Sequence, residues 1–222
     1  MWQFDESVFH RNMETFGVGA LKEILVRPDR NRERWEILSS KEGSPTILWD
    51  HASLHSRYDP VSEGDRWADG ALASGEEGGP GFLVLGLGLG YHLFSLMERV
   101  QRPVAVFEAV PDIFRVSFRL FPWYRFEGRL SFFSDPAEIR GIPRGYTLLS
   151  HAPSEKVRPE LYRSVRKIYE GGDSPSTYSL RVLVISPVSG GSYPIARSVT
   201  RSLIRMGQPG QPLLMPPCSR GL

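Results

Sequence analysis

The chain has 222 residues, which is enough for one sizeable domain or for one domain and a fragment of another. Its hydrophobic content of 41% excludes a disordered chain, and its net charge of +2, with no basic stripe interleaved with aromatic residues, argues against a nucleic-acid partner. The single cysteine, Cys218, excludes an intrachain disulfide and a cysteine-based zinc site, and no apolar run reaches the roughly 18 residues that span a bilayer. We therefore expect a cytoplasmic protein without a membrane span.

The first 60 residues predict a small α+β cap. Apolar residues at helical spacing predict a helix over Phe4–Phe16 with Asp5 as its N-cap, and Ala20–Leu25 fits a second short helix. Two apolar runs, Trp35–Leu38 and Pro45–Trp49, flank a turn that contains a glycine. This pattern is typical of a β-hairpin.

Strand-like and helix-like runs alternate over residues 61–170. A helix is predicted over Val61–Ala73, followed by a turn-rich break at Ser74–Pro80. Beyond the break, the runs that read as buried strands are Phe82–Leu85, Val104–Phe107, Arg129–Phe133 and Tyr146–Ser150. The helical runs between and after them are Tyr91–Val100, Pro111–Phe121, Pro136–Ile139 and Val157–Tyr169. This order predicts an α/β class: a Rossmann-like (methyltransferase-like), mostly parallel sheet with helices on both faces.

The last part of the chain changes in composition. Residues 171–180 are rich in Gly, Ser and Pro and predict a linker. Residues 181–222 contain one further strand and helix and then an irregular Pro/Gly-rich tail. We interpret this segment either as the first βα unit of a truncated second domain or as an added strand of the first sheet.

Three glycines follow the first strand of the predicted sheet, in the sequence FLVLGLGLGYH. Where a parallel strand ends and a helix begins, unpaired backbone N–H groups and the helix dipole favour an anion, and glycine lets a ligand approach the backbone. We therefore take as candidate cofactor-binding residues Gly86, Leu87, Gly88 and Gly90. The GxGxxG dinucleotide fingerprint is not met because Tyr91 stands at its last position, which disfavours NAD and FAD. The GxGxG spacing is that of adenosylmethionine-dependent methyltransferases; a tight turn without a ligand is the other interpretation.

Two carboxylates follow neighbouring strands. Glu108 ends the second strand, some 18 residues after Gly90, where a carboxylate can accept both ribose hydroxyls of a nucleotide. The alternative interpretation is that Glu108 is a solvated residue at the end of a strand. Asp135 follows the third strand, where a base edge would lie, and its alternative is a helix N-cap before Pro136. Val84 stands where methyltransferases of this class carry an acidic residue, which weakens a methyl-transfer function.

A polar loop and the histidines complete the candidates. We expect Arg57, Tyr58, Asp59 and His92 at the rim of the pocket, where an arginine can meet a phosphate or carboxylate and a tyrosine can stack on a base. An ion pair between Arg57 and Asp59 is the alternative. Among the five histidines, only His51 and His55 have a metal-like spacing, and no third ligand lies nearby in the sequence. We therefore expect no metal site.

Three stretches together resemble a known family: LHSRYDP (Leu54–Pro60), VLGLGLGYH (Val84–His92) and VAVFEAVPDIF (Val104–Phe114). They are similar to the N-terminal Rossmann-like domain of motility accessory factor glycosyltransferases, a group related to the archaeal hydroxymethylpterin pyrophosphokinases. Separately, Arg181–Gly207 resembles the opening βα unit of CgeB-type glycosyltransferases. The resemblance implies a bacterial glycosylation protein whose first domain is accessory or nucleotide-binding. It also implies that the catalytic residues lie in a domain that this chain largely lacks, so none is assigned.

Three functions are consistent with these patterns. The first is a nucleotide- or nucleotide-sugar-binding domain of a bacterial protein-glycosylation system that is not fully active alone. The second is an S-adenosylmethionine-dependent methyltransferase, and the third is an interaction scaffold without a ligand. For the first we expect a nucleotide or nucleotide-sugar ligand, a protein acceptor or another glycosylation partner, and we leave a homodimer open.

Overall fold

The computed structural model describes residues 4–26, 34–74 and 79–171. The predicted linker after Gly171 and the predicted βα unit at 181–222 lie outside the described residues. Within the described part of the chain, no helix has the length and apolar character that crossing a membrane would require.

Two helices open the fold, as the sequence predicts. Helix α1 is Glu6–Phe16, and its N-cap Asp5 accepts a hydrogen bond from the Ser7 backbone N–H at 2.7 Å. Helix α2 is Gly19–Val26. The fully buried Asn12 of α1 donates from Nδ2 to the carbonyl oxygens of Phe118 and Phe121, each at 2.8 Å. This polar side chain therefore fixes α1 against the end of a helix far along the chain.

The predicted hairpin forms the greater part of a small antiparallel sheet. Strand β1 (Trp35–Ser39) pairs with β2 (Pro45–Trp49), and β2 pairs with β3 (Ala52–Ser53). The sequence does not predict β3 because two residues are too short to show an alternating pattern. Helix α3 (Pro60–Ser74) follows.

The second sheet is parallel throughout its four strands. They are β4 (Phe82–Leu85), β5 (Val104–Phe107), β6 (Leu130–Phe133) and β7 (Thr147–Ser150), in the order β6-β5-β4-β7. The chain thus runs outward from β4 on one side and then returns to its other side, as in Rossmann-like sheets. This reversal makes the carboxyl edge between β4 and β7 the place where such sheets bind ligands.

Helices cover both faces of the parallel sheet. They are α4 (Tyr91–Arg99), α5 (Pro111–Leu120), α6 (Ala152–Val157) and α7 (Pro159–Glu170), with 3₁₀ helices at Trp123–Phe126 and Pro136–Gly141. Alternate residues of β4 enter different cores: Phe82 and Val84 join one cluster, and Leu83 and Leu85 join the other. The predicted α/β, Rossmann-like class is confirmed. The helix predicted over Val157–Tyr169 begins later, at Pro159, because a separate short helix precedes it.

The predicted α+β cap does not have a core of its own. Phe16, Ile47, Trp49 and Leu54 belong to the same buried cluster as Phe82 of β4. The boundary at residue 60 stays a prediction, since the hydrophobic contacts run across it.

Two glycines of α3 give a matched test of the packing between α3 and α4. A Cβ at Gly64 would lie 2.7 Å from the carbonyl carbon of Tyr91 and 2.9 Å from the backbone nitrogen of His92, and backbone atoms cannot rotate away. We expect Gly64→Ala to lower the free energy of unfolding by about 2 kcal/mol, since overpacking outweighs the helix-propensity gain.

The control is Gly70→Ala in the same helix, where an added Cβ meets no atom within 4 Å. Here the gain in helix propensity acts alone, and we expect stabilisation of up to about 1 kcal/mol. Urea unfolding followed by circular dichroism measures both changes. Equal effects of the two substitutions would contradict the close approach of α4 to Gly64.

Candidate functional site at the glycine loop

The loop Gly86–Gly90, which we call the glycine loop, connects β4 to α4. Gly86, Gly88 and Gly90 have φ angles of 98°, 50° and 108°, which are left-handed values that favour glycine. The loop lies at the carboxyl end of the central strand, beside β7. The sequence therefore predicts correctly that the chain turns sharply after β4 and needs glycine for that turn.

Four of the five backbone N–H groups of the glycine loop, those of residues 86 to 89, are bonded to the protein itself. Gly86 N donates to the Phe107 carbonyl oxygen at 2.8 Å. Leu87 N and Gly88 N donate to Oε2 of Glu108 at 2.8 and 3.3 Å. Leu89 N donates to Nε2 of His55 at 2.7 Å. The prediction that these amides are unpaired and face a ligand is therefore wrong in this structure.

Glu108 closes the glycine loop, because its carboxylate accepts N–H groups of the loop that a ligand would otherwise bind. Its side chain is fully buried, and Oε1 also accepts hydrogen bonds from Val110 N and from the Tyr162 hydroxyl, each at 2.9 Å. All four partners are donors, which is the geometry of an ionised carboxylate because that form accepts and does not donate. Burial raises the pKa of Glu108, and the N–H groups of Leu87 and Val110 act in the opposite direction.

The predicted role of Glu108 is corrected accordingly. The sequence places a carboxylate at the end of β5, where it could hold ribose hydroxyls. In the structure this carboxylate turns into the neighbouring loop instead, since three backbone N–H groups and one hydroxyl surround it. Its lone pairs are used within the protein.

Side chains also fill the space beside each glycine. A Cβ would lie 2.5 Å from Ser154 Cβ at Gly86, 2.5 Å from His55 Nε2 at Gly88, and 2.5 Å from Trp123 Cζ2 at Gly90. The side chain of Leu87 is fully buried in the hydrophobic core. The glycines therefore accommodate neighbouring side chains of the same protein, and a nucleotide at Gly86, Leu87, Gly88 and Gly90 stays a prediction.

The residues predicted for the pocket rim lie in different parts of the structure. Asp59 accepts from Ser62 N at 2.9 Å and caps α3. Arg57 and Tyr58 are exposed beside the hairpin turn, where the Lys41 ammonium lies 4.2 Å from the centre of the Tyr58 ring. The prediction of a pocket rim here is not supported by contacts with the glycine loop.

Asp135 is a helix N-cap, which is the alternative interpretation of this residue from the sequence. Its side chain accepts from Ala137 N at 2.8 Å and forms a capping box with Glu138 at the start of a 3₁₀ helix. The residue is exposed at the end of β6, two strands away from β4. Position and hydrogen bonds both correct the prediction that Asp135 meets a base edge over the glycine loop.

His92 is buried and does not lie at a rim. Its exposed fraction is 1%, and Nε2 lies 3.0 Å from the Gly86 carbonyl oxygen. Because a carbonyl oxygen only accepts, Nε2 carries the proton and donates. The other nitrogen, Nδ1, is buried and has no hydrogen-bond partner among the described residues.

Three buried histidines meet beside the glycine loop: His55, His92 and His151, which we call the histidine cluster. The His92 and His151 rings stack with centroids 4.1 Å apart, and those of His55 and His151 stack at 4.8 Å. Each ring offers one nitrogen such that the three nitrogens lie within 4.8 Å of one another. Sequence spacing does not reveal this cluster because His55 precedes α3, His92 lies in α4, and His151 follows β7.

Burial keeps the histidine cluster neutral. It lowers the pKa of His92 to about 3 and lowers the pKa values of His55 and His151. For His55 the nearby Glu63 carboxylate acts in the opposite direction. Neutral imidazoles each retain one lone pair, which can accept a hydrogen bond or bind a metal ion.

Comparison with known proteins finds a matching family and similar solved structures. The family described as "Glycosyltransferase Maf N-terminal domain" matches residues 3–131, more than half of the chain. The structure titled "Structure of MAf glycosyltransferase from Magnetospirillum magneticum AMB-1" is similar at 16% identity with a TM-score of 0.47. That similarity covers 73% of this chain and 35% of the other, so this chain spans about a third of the length of that protein. A search of curated proteins finds no match.

Proposed function

Because this chain belongs to the family of the glycosyltransferase Maf N-terminal domain, we propose that it serves a protein-glycosylation system as an accessory, non-catalytic domain. Its Rossmann-like sheet acts as a rigid scaffold, and its glycine loop holds no nucleotide. The transferase donor, a nucleotide sugar, binds to a different part of the glycosylation system. The expected partners are a protein acceptor or another component of that system.

The observation that carries this proposal is the closure of the glycine loop. A phosphate bound there would need the amides of Leu87 and Gly88, and both already donate to Glu108. It would also sit beside a buried carboxylate, and two like charges in a site of low dielectric repel strongly. The carboxylate of adenosylmethionine meets the same obstacle, so the geometry favours the scaffold over both ligand-binding functions.

Ligand binding tests the proposal that the glycine loop holds no nucleotide. The purified chain is melted alone and with nucleoside diphosphates, UDP-N-acetylglucosamine or S-adenosylmethionine. A ligand at about 100 times its dissociation constant stabilises by about 2.7 kcal/mol, which for a chain of this size raises Tm by about 5–11 °C. We expect no such shift. A reproducible shift with one of these ligands that Glu108→Gln abolishes would contradict the proposal and restore the nucleotide site.

Glycosylation itself is tested in the source organism. We expect deletion of the gene to reduce the mass of glycosylated surface proteins by whole sugar units, measured on intact proteins. Re-expression of the natural gene should restore the mass. Re-expression of the variant Glu36→Ala, which is changed only at an exposed position, should restore it equally. An unchanged glycoprotein profile after deletion would contradict a role in glycosylation.

A further inference from the structure

We infer that the histidine cluster, His55, His92 and His151, is a binding site for a divalent transition-metal ion, with Zn²⁺ as the best-fitting ion. This site would join three parts of the fold: the segment before α3, the first turn of α4 and the end of β7. It is independent of the proposed function, since it needs no nucleotide, acceptor or sugar.

The outer nitrogens of the three rings are each held by a neighbouring polar group. His55 Nδ1 lies 3.5 Å from the Glu63 carboxylate, and His92 Nε2 donates to the Gly86 carbonyl oxygen at 3.0 Å. His151 Nδ1 lies 2.7 Å from the Ser154 hydroxyl. Histidines that bind metals nearly always have their second nitrogen held in this way by a carboxylate, a carbonyl or another polar partner. Of the remaining nitrogens, Nδ1 of His92 has no partner among the described residues, whereas Nε2 of His55 accepts the Leu89 N–H at 2.7 Å and would exchange that bond for the ion.

The second and independent observation is the unpaired Nδ1 of His92. This nitrogen is buried and has no hydrogen-bond partner among the described residues. An unsatisfied buried acceptor is costly, and native proteins rarely retain one without a bound water or ion. A cation at the centre of the cluster would satisfy it.

The nitrogens are spaced at most about 1.5 Å more widely than the ligands of a zinc site. The three candidate nitrogens lie within 4.8 Å of one another. With Zn–N bonds of about 2.0–2.1 Å, the ligands of a tetrahedral ion lie about 3.3 Å apart, so each nitrogen would move inward by less than about 1 Å. Because the lone pair of an imidazole lies in the plane of its ring, the His92 and His151 rings, which are within 5° of parallel, would also have to tilt toward a common point. His55 Nε2 would release the Leu89 N–H. A water molecule could take the fourth position.

The lack of a side chain at Gly88 lets two rings of the histidine cluster lie against the glycine loop. A Cβ at Gly88 would lie 2.5 Å from His55 Nε2 and 3.1 Å from His151 Cε1. The rings of His55 and His151 therefore occupy the place that a side chain at this position would take, and a larger residue would displace them from the cluster. This gives a reason for glycine at this position in addition to its φ angle.

The chemistry of the donors selects the ion. Three neutral imidazoles suit Zn²⁺, Cu²⁺ and Ni²⁺, whereas Mg²⁺ and Ca²⁺ require oxygen ligands. The rings are 1–4% exposed, so an ion bound here would be enclosed by protein. Such enclosure is typical of a structural ion that is acquired as the chain folds.

Metal content tests the inference on the natural protein. The purified chain, free of any affinity tag, is stripped with a chelator under mild denaturation and refolded with Zn²⁺ or Mg²⁺. We expect one Zn²⁺ per chain by mass spectrometry of the native protein, and no retained Mg²⁺. Refolding with Co²⁺ is expected to give the visible absorption bands of a tetrahedral nitrogen-ligated site. A folded chain that retains no Zn²⁺ and gives no such spectrum would overturn the inference.

Variants locate the ion. We expect His92→Gln and His151→Gln each to lower Zn²⁺ affinity by more than the roughly 10–100-fold that the loss of an outer hydrogen-bond partner costs, because glutamine can keep the outer hydrogen bond but does not replace the imidazole as a ligand. The matched control is His10→Gln on the exposed face of α1, which should retain one Zn²⁺ per chain. Retention of Zn²⁺ by both cluster variants would place the ion elsewhere and overturn the inference. If a variant fails to fold, the Co²⁺ spectrum of the natural protein decides.

Discussion

Replacing Glu108 with alanine is expected to lower the free energy of unfolding by about 4 kcal/mol. The substitution removes the acceptor of four hydrogen bonds in a fully buried place. Leu87 N, Gly88 N, Val110 N and the Tyr162 hydroxyl would then lack their partner, and each unsatisfied buried group costs about 1–3 kcal/mol before relaxation. Chemical denaturation of the purified variant measures the loss.

Two further variants test whether the loss of stability in Glu108→Ala comes from the missing hydrogen-bond acceptor. Glu108→Gln keeps the size of the side chain but points an NH₂ group at backbone donors, so we expect it to lose about 2 kcal/mol or more. Glu36→Ala removes an exposed glutamate from β1 and should change stability by less than about 0.5 kcal/mol. If Glu108→Ala were as stable as the natural protein, its carboxylate would not hold the glycine loop.

Lowering the pH from 7 to 5 is expected to destabilise the metal-free protein through the histidine cluster. Burial lowers the pKa of His92 to about 3, whereas an unfolded histidine has a pKa of about 6.5. Below pH 6.5 the unfolded chain binds a proton that the folded protein does not, so stability decreases as the pH falls. His92 alone would contribute a loss of about 2 kcal/mol at pH 5, and His55 and His151 add to it in the same direction.

The measurement is urea unfolding between pH 7.5 and pH 5 in the presence of a chelator. The variant His92→Gln should show a shallower dependence on pH, and His10→Gln should follow the natural protein, since His10 is exposed. A stability that does not change over this range would show that the cluster is protonated or open to water in the folded protein.

Much of the fold can be predicted from local patterns. The alternation of buried strands with amphipathic helices predicts the parallel sheet, and the three glycines predict a sharp turn after β4. The Asp5 cap and the hairpin can also be seen in the sequence, because their signals lie within a few neighbouring residues. The sequence misses β3, which has two residues, and the break between α6 and α7.

The contacts that decide the site are not local. A glutamate at the end of a strand has the same sequence context whether it faces a ligand or turns into a loop. For Glu108 the outcome depends on Tyr162 of α7 and on the loop after β4. The histidine cluster also depends on distant segments, although the strand ends gave a usable signal: His92 follows the glycine loop and His151 follows β7, and parallel strands place their carboxyl ends at one edge.

The most direct test of the closed loop is amide hydrogen exchange of Leu87 and Gly88 in the protein without a nucleotide ligand. Because Glu108 accepts both N–H groups inside the protein, we expect both to exchange slowly and to be unaffected by a nucleotide sugar. Rapid exchange without ligand, followed by protection when a nucleotide sugar is added, would show that the glycine loop is an open ligand site and would contradict the account.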